Sequence, residues 1–208
     1  MAASEHIVWI DCEMTGLNPS VDELVEVAVV VTDFELNVLD PGCTVVIRAS
    51  DAAMEQMNDF VTEMHRTSGL AEEIPNGVTA AEAEQQVLEY IRRFVKVERT
   101  APLGGNTIGT DRAFLARYMP ELDGYLHYRN IDVSSIKELS RRWYPRAYFQ
   151  SPKKHGGHRA LADILESIGE LRYYRQAVFT QAPGHDTEAL KGIAAEVVEG
   201  FSEHLDRQ

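Results

Sequence analysis

Cysteine is nearly absent: the 208 residues contain two, Cys12 and Cys43. This argues against a disulfide-stapled secreted scaffold, and Cys12, set in an apolar run, reads as a small buried residue rather than a nucleophile. No stretch approaches the roughly 18–20 apolar residues that cross a bilayer. The first residues also lack the basic-then-apolar pattern of a signal peptide, so the chain is expected to be cytoplasmic with no membrane partner. Positive charge is scarce, with 20 Lys and Arg against 33 Asp and Glu for a net −13. Polymeric nucleic acid is gripped by many Lys/Arg–phosphate contacts, so no long nucleic-acid groove is expected. A small phosphorylated substrate held by a few residues and metal ions stays open. There is no internal repeat and no low-complexity tract.

What is present suits one domain with a substantial core, the apolar share being 44%. Residues 7–10 and the β-branched run 24–32 read as strands. Turns near 35–37 and 41–42 then frame short strands at 38–40 and 44–47, an antiparallel meander. Met54, Met57, Val61 and Met64 recur at helical spacing, which predicts one helix from 51 to about 68. Thr79-x-x-Glu82 is a capping-box signature opening a second helix with Val87, Leu88, Ile91, Phe94 and Val95 on one face. A short strand at 101–105, a helix over 111–118, a strand at 130–132 and a helix over 134–143 follow. Residues 144–157 hold two prolines and a Gly pair and read as a mobile loop. Helices over 160–179 and 187–205 close the chain. A β-meander followed by alternating helices and strands predicts an α/β fold, a mixed central β-sheet flanked by α-helices.

The strongest chemical signal is a strand that ends in acid. Side chains alternate along a strand, so Asp11 and Glu13 share one face. Two carboxylates at the end of an apolar strand repel each other unless a cation joins them, and a divalent metal is the simplest partner. Asp111 follows a Gly-rich turn, where an Asp serves as a helix N-cap or as a further ligand. Asp163 lies beside the apolar stripe of its helix rather than opposite it. His158 precedes Asp163 by five residues, about 140° apart on a continuous helix, and reaches the same site only from the loop before that helix.

In this order, Asp11-x-Glu13, Asp111 and His158-x4-Asp163 resemble the three motifs of the DEDDh exonuclease family. The segments WIDCEMTGL, GNTIGTDRAFLARYMPEL, HYRNIDVSSIKEL and HRALADI resemble the oligoribonuclease branch of that family, and the likeness covers nearly the whole chain. The resemblance implies an RNase H-like, DnaQ-type exonuclease fold. The whole of 1–208 would be a single exonuclease domain, with 1–182 as catalytic core and 183–208 as a C-terminal helix packing on it. It further implies 3′-to-5′ hydrolysis of short oligoribonucleotides, especially dinucleotides, to 5′-mononucleotides.

Phosphodiester hydrolysis of this kind is served by two divalent ions, Mg²⁺ or Mn²⁺ given all-oxygen ligands. Asp11, Glu13, Asp111 and Asp163 would hold them, and His158 would take the proton of the attacking water. Leu17, alone a core candidate, becomes by resemblance a wedge between two bases, with Met14 beside it. Phe60 matches a base-stacking Trp position but equally fits the apolar spacing of its helix. A 5′-phosphate cap is implied at His65, Thr107, Arg129 and Ser134, with Asn106 as a further substrate-binding residue. Tyr128 is either structural or, with Arg129, reaches a partner's site in a homodimer. Two rivals remain: an exonuclease on longer DNA or RNA, and a catalytically silent nucleotide-binding protein.

Overall fold

The computed structural model describes residues 5–153 and 159–205, with side chains to residue 200. Strand β1 (His6–Met14) lies at the centre of a five-stranded sheet ordered β3-β2-β1-β4-β5. β2 (Leu24–Asp33) pairs antiparallel with β1, and β3 (Cys43–Val46) antiparallel with β2. β4 (Pro102–Gly105) and the edge strand β5 (His127–Asp132) run parallel to β1. The sheet is therefore mixed, as the meander followed by alternating helices and strands predicts.

Alternation along β1 and β2 divides the core in two. Val8, Ile10, Cys12, Val27, Val29 and Val31 face one layer of helices. That layer holds α4 (Ala80–Arg92), α5 (Gly109–Tyr118) and α6 (Pro120–Tyr125), which contribute Val87, Leu88, Ile91, Phe114, Leu115 and Leu122. Ile7, Trp9, Ala28 and Val30 face α7 (Val133–Trp143) and α9 (Ala160–Ala177) through Val133, Ile164 and Ile168. Burial on both faces explains why β2 reads as a continuous apolar run rather than an alternating one. Gly104 on β4 lets the backbone lie close to Ile7 and Trp9, since a Cβ there would sit 3.0 Å from Ile7 and 3.1 Å from the Trp9 ring.

Several local expectations change. The helix over 51–68 is two helices, α1 (Asp51–Gln56) and α2 (Asp59–Thr67). Met57 turns to φ −56°, ψ 132°, and the Asn58 side chain accepts the Val61 N–H at 2.9 Å, capping α2 anew. The methionine spacing runs straight through this break. A short helix α3 (Leu70–Glu73) and a 3-10 turn follow. Residues 38–40 form no strand; Val38 makes a single bridge to Thr32. The expected loop over 144–157 contains α8 (Pro145–Phe149). Helix α6 was not foreseen, although Pro120 at its first turn is a start signal. The capping box at Thr79 and Glu82 is present. Helix α10 (Thr187–Leu205) falls where expected, yet Leu190, Ile193, Val197 and Val198 remain roughly half exposed, so the described part of its apolar stripe is not covered by the described residues.

Candidate active site

The carboxyl end of β1 opens into a cleft of about 650 Å³. Asp11 and Glu13 point to the α9 side of the sheet. Asp163, in the first turn of α9, meets them there because Ile164 and Ile168 seat that helix against Ile7 and Trp9. One carboxylate oxygen from each of Asp11, Glu13 and Asp163 lies within 4.8 Å of the others. Glu13 is buried, and its pKa is pushed up to about 8 by burial first, then by Asp163, Glu26 and Asp111, with Arg159 opposing. A buried acid beside other acids resists ionisation unless a cation is supplied. The donor set is all carboxylate oxygen, which fits a hard divalent ion.

Asp111 does not cap its helix. Ile108 occupies the N-cap position, and the buried Asp111 Oδ1 instead accepts the Cys12 N–H of β1 at 3.0 Å. Burial raises its pKa to about 7, against the pull of that hydrogen bond. Asp111 lines the cleft without joining the three-carboxylate cluster. Burial, with Asp111, Asp11 and Glu13 nearby, holds the Cys12 thiol well above its usual range, which suits an inert core residue. His158, the expected base, lies outside the described residues.

The cleft walls come from the loop after β1 and from α2. Asp22 ties that loop together by accepting the Asn18 N–H at 2.8 Å and the Thr15 hydroxyl at 3.3 Å. It packs so tightly that a Cβ on Gly16 would lie 2.5 Å from the Asp22 carboxylate. Leu17 is thereby presented 78% exposed at the cleft, not in the core. Phe60, on α2, is 73% exposed and also lines the cleft, which removes the core-packing alternative for it. Met14 also lines the cleft. His65 does not: it is wholly buried, and its Nε2 donates to the Met14 carbonyl at 2.8 Å. His65 supports the Met14 backbone.

Asn106, Thr107 and Ser134 are brought together. Thr107 adopts φ +53°, rare for a β-branched residue. Its N–H donates to Asp132 Oδ1 at 3.1 Å and Ser134 Oγ at 2.9 Å, which holds that conformation. Ser134 Oγ donates to Asn106 Oδ1 at 3.0 Å, and Asn106 Nδ2 donates to Ser167 Oγ at 2.7 Å. Asn106 and Thr107 thus face the cleft from a tied turn. Tyr128 and Arg129 are not brought there. Tyr128 stands 73% exposed on β5, beside a separate depression lined by Arg99, Arg112 and Asp123.

A family model described as exonuclease, of the RNase T type, matches residues 8–171 and so spans Asp11, Glu13, Asp111 and Asp163. The oligoribonuclease of Leifsonia xyli subsp. xyli is 64% identical over 203 residues, 98% of each chain. That of Streptomyces griseus is 62% identical over 192 residues, 92% of this chain and 96% of the relative. The chain belongs to the oligoribonuclease family. Among solved structures, an exonuclease I from Methylocaldum szegediense superposes with a TM-score of 0.61 at 17% identity. The chain covers about two-fifths of that protein's length, 41%, against 83% of its own. A second exonuclease I structure gives 0.66 at 12% identity, over 84% of this chain and 42% of that one. These likenesses establish the exonuclease fold, and the RNase H-like expectation holds.

Within this oligoribonuclease fold, sequence reasoning passed over Asn58, Thr110 and Ser167, which also line the cleft. It also passed over Glu26, a completely buried acid near the start of β2. A lone charge inside LVEVAVVVT is itself a signal, because burial of an acid demands partners. Among the described residues no helix is long and apolar enough to cross a membrane.

Proposed function

We propose that this chain is a 3′-to-5′ exoribonuclease that hydrolyses short oligoribonucleotides, dinucleotides above all, to 5′-mononucleotides. The observation that carries this reading is the Asp11, Glu13 and Asp163 cluster in a cleft that Leu17 and Phe60 also line. At about 650 Å³ the cleft is of a size that takes a small ligand. The net charge of −13 agrees, since a dinucleotide needs few phosphate contacts.

Asp11, Glu13 and Asp163, with Asp111 lining the same cleft, would hold two divalent ions, Mg²⁺ or Mn²⁺. When bound, such ions stabilise charge on the attacking and leaving oxygens of an in-line displacement. The chain's own residues do the remainder. Leu17 and Phe60 clasp the bases and so set the scissile bond over the carboxylates. The hydroxyls of Thr107 and Ser134 cap the far phosphate, which limits substrate length. Arg129 suits the same phosphate through its planar fork. His158 accepts the proton of the attacking water, a role matched to a neutral imidazole near pH 7. Tyr128 and Arg129 lie away from their own cleft, which suits a contribution to a partner's cleft in a homodimer. The free thiols Cys12 and Cys43 suit the reducing cytoplasm.

The test uses a labelled dinucleotide with Mg²⁺ and two variants. Asp163→Ala and His158→Ala are both expected to abolish turnover, while only the Asp163 change weakens Mn²⁺ binding. Wild-type rates in either variant would remove that residue from the mechanism.

A further inference from the structure

Glu26 is 0% exposed, and its Cα pairs with that of Glu13 across β1 and β2. Directly paired residues share a face, so both acids lie under α9. A buried carboxylate is tolerated only when its oxygens are satisfied, and here the donors come from the start of α9. Arg159 donates to Glu26 Oε1 from Nε at 3.1 Å and from Nη2 at 2.8 Å. The Ala160 N–H, the first of the helix, donates to Oε2 at 2.9 Å. Helix α9 has no side-chain cap of its own at Arg159, so β2 supplies across the sheet the acceptor its N-terminus lacks. Arg159 also donates from Nη1 to Glu73 Oε1 at 2.8 Å, which joins the same helix start to the end of α3. Asp163 sits three residues past Ala160, within the turn that this clamp holds.

We propose that Glu26, acting through Arg159 and the first N–H of α9, is a positioning residue that sets the Asp163 carboxylate against Asp11 and Glu13. The inference rests on Asp163 being a metal ligand. Gln at position 26 cannot reproduce the clamp. Its amide has one acceptor oxygen, and its NH₂ faces either the guanidinium or the Ala160 N–H.

The experiment measures Mn²⁺ binding to the metal-stripped full chain by titration calorimetry, alongside kcat and KM for a dinucleotide. Glu26→Gln is expected to weaken Mn²⁺ about 10–100-fold, as loss of a group that orients a ligand does. It should lower kcat while KM stays within about twofold, because the base-clasping walls are untouched. In an Asp163→Asn background the same change should add nothing, since the ligand it positions is already lost. If Glu26→Gln does not fold, Glu26→Met combined with Arg159→Met removes both charges, leaves no orphan ion, and should show the same weakening. Wild-type Mn²⁺ binding in a folded Glu26 variant would overturn the proposal, as would a full additional loss in the Asp163→Asn background. Asp163→Asn also separates the two readings. If it binds Mn²⁺ like wild type, the metal role of Asp163 fails. If it binds weakly while Glu26→Gln binds normally, only the clamp fails.

Discussion

Raising the pH from about 6 to about 8 should tighten divalent-ion binding steeply, because the folded site holds protons that a metal must displace. Burial, then the charges of Asp163, Glu26 and Asp111, raise the Glu13 pKa to about 8, and burial raises that of Asp111 to about 7. Below pH 8 the Glu13 proton alone costs about 1.4 kcal/mol per pH unit, or tenfold in the dissociation constant. Asp111 adds to the slope below about pH 7 and contributes little above it. The sign for the metal-free fold is opposite. A carboxyl whose folded pKa lies above its unfolded value contributes stability that is full below the unfolded value and is lost as pH rises through the folded one. Metal-free protein should therefore melt lower, and metal-loaded protein relatively higher, across the window from about 4.5 to 8. Calorimetric Mn²⁺ titrations at several pH values, in buffers of different ionisation heats, give both the affinity and the protons released. A dissociation constant unchanged within twofold from pH 6 to 8, with no proton release, would refute the reasoning.

Leu17→Ala removes an exposed wedge and should raise the dinucleotide KM about tenfold, as loss of a base-stacking contact does, with an unchanged melting temperature. An unchanged KM would return Leu17 to the status of a surface residue. Phe60→Trp enlarges the stacking face and should lower KM a few-fold, at about 1 kcal/mol or less; a raised KM would argue that Phe60 does not stack. Thr79→Ala breaks the capping box of α4, which lies across the sheet from α9, and should cost about 1 kcal/mol of stability with kcat and KM intact. An unshifted denaturant midpoint would count against it.

What could be read from sequence follows from how local the governing rule is. Strand alternation alone puts Asp11 and Glu13 on one side, and the capping box at Thr79 needs four residues to be recognised. The meeting of these acids with Asp163 is not local. It depends on α9 packing across β1, and only the ordered motifs of a family resemblance point to it. The break at Met57 is masked in the sequence because methionines on both sides keep helical spacing, although Asn58 before Asp59 is a cap signal. The phosphate role of His65 comes only from the family resemblance; its burial and its bond to the Met14 carbonyl depend on packing that no local rule predicts. Asp111 was legible as an acid after a glycine turn, but its partner, the Cys12 N–H, lies 99 residues away. Glu26 stands out as a lone acid in an apolar strand, but nothing in the strand itself announces the donors on α9.

The central claim is that this cleft serves very short RNA, and the most direct measurement is the ratio of kcat/KM for a 5′-labelled dinucleotide to that for a labelled 20-mer, with Mg²⁺ and with EDTA. The account predicts fast metal-dependent cleavage of the dinucleotide, poor use of the 20-mer, and no turnover of either in EDTA. Equal or better turnover of the 20-mer would contradict it.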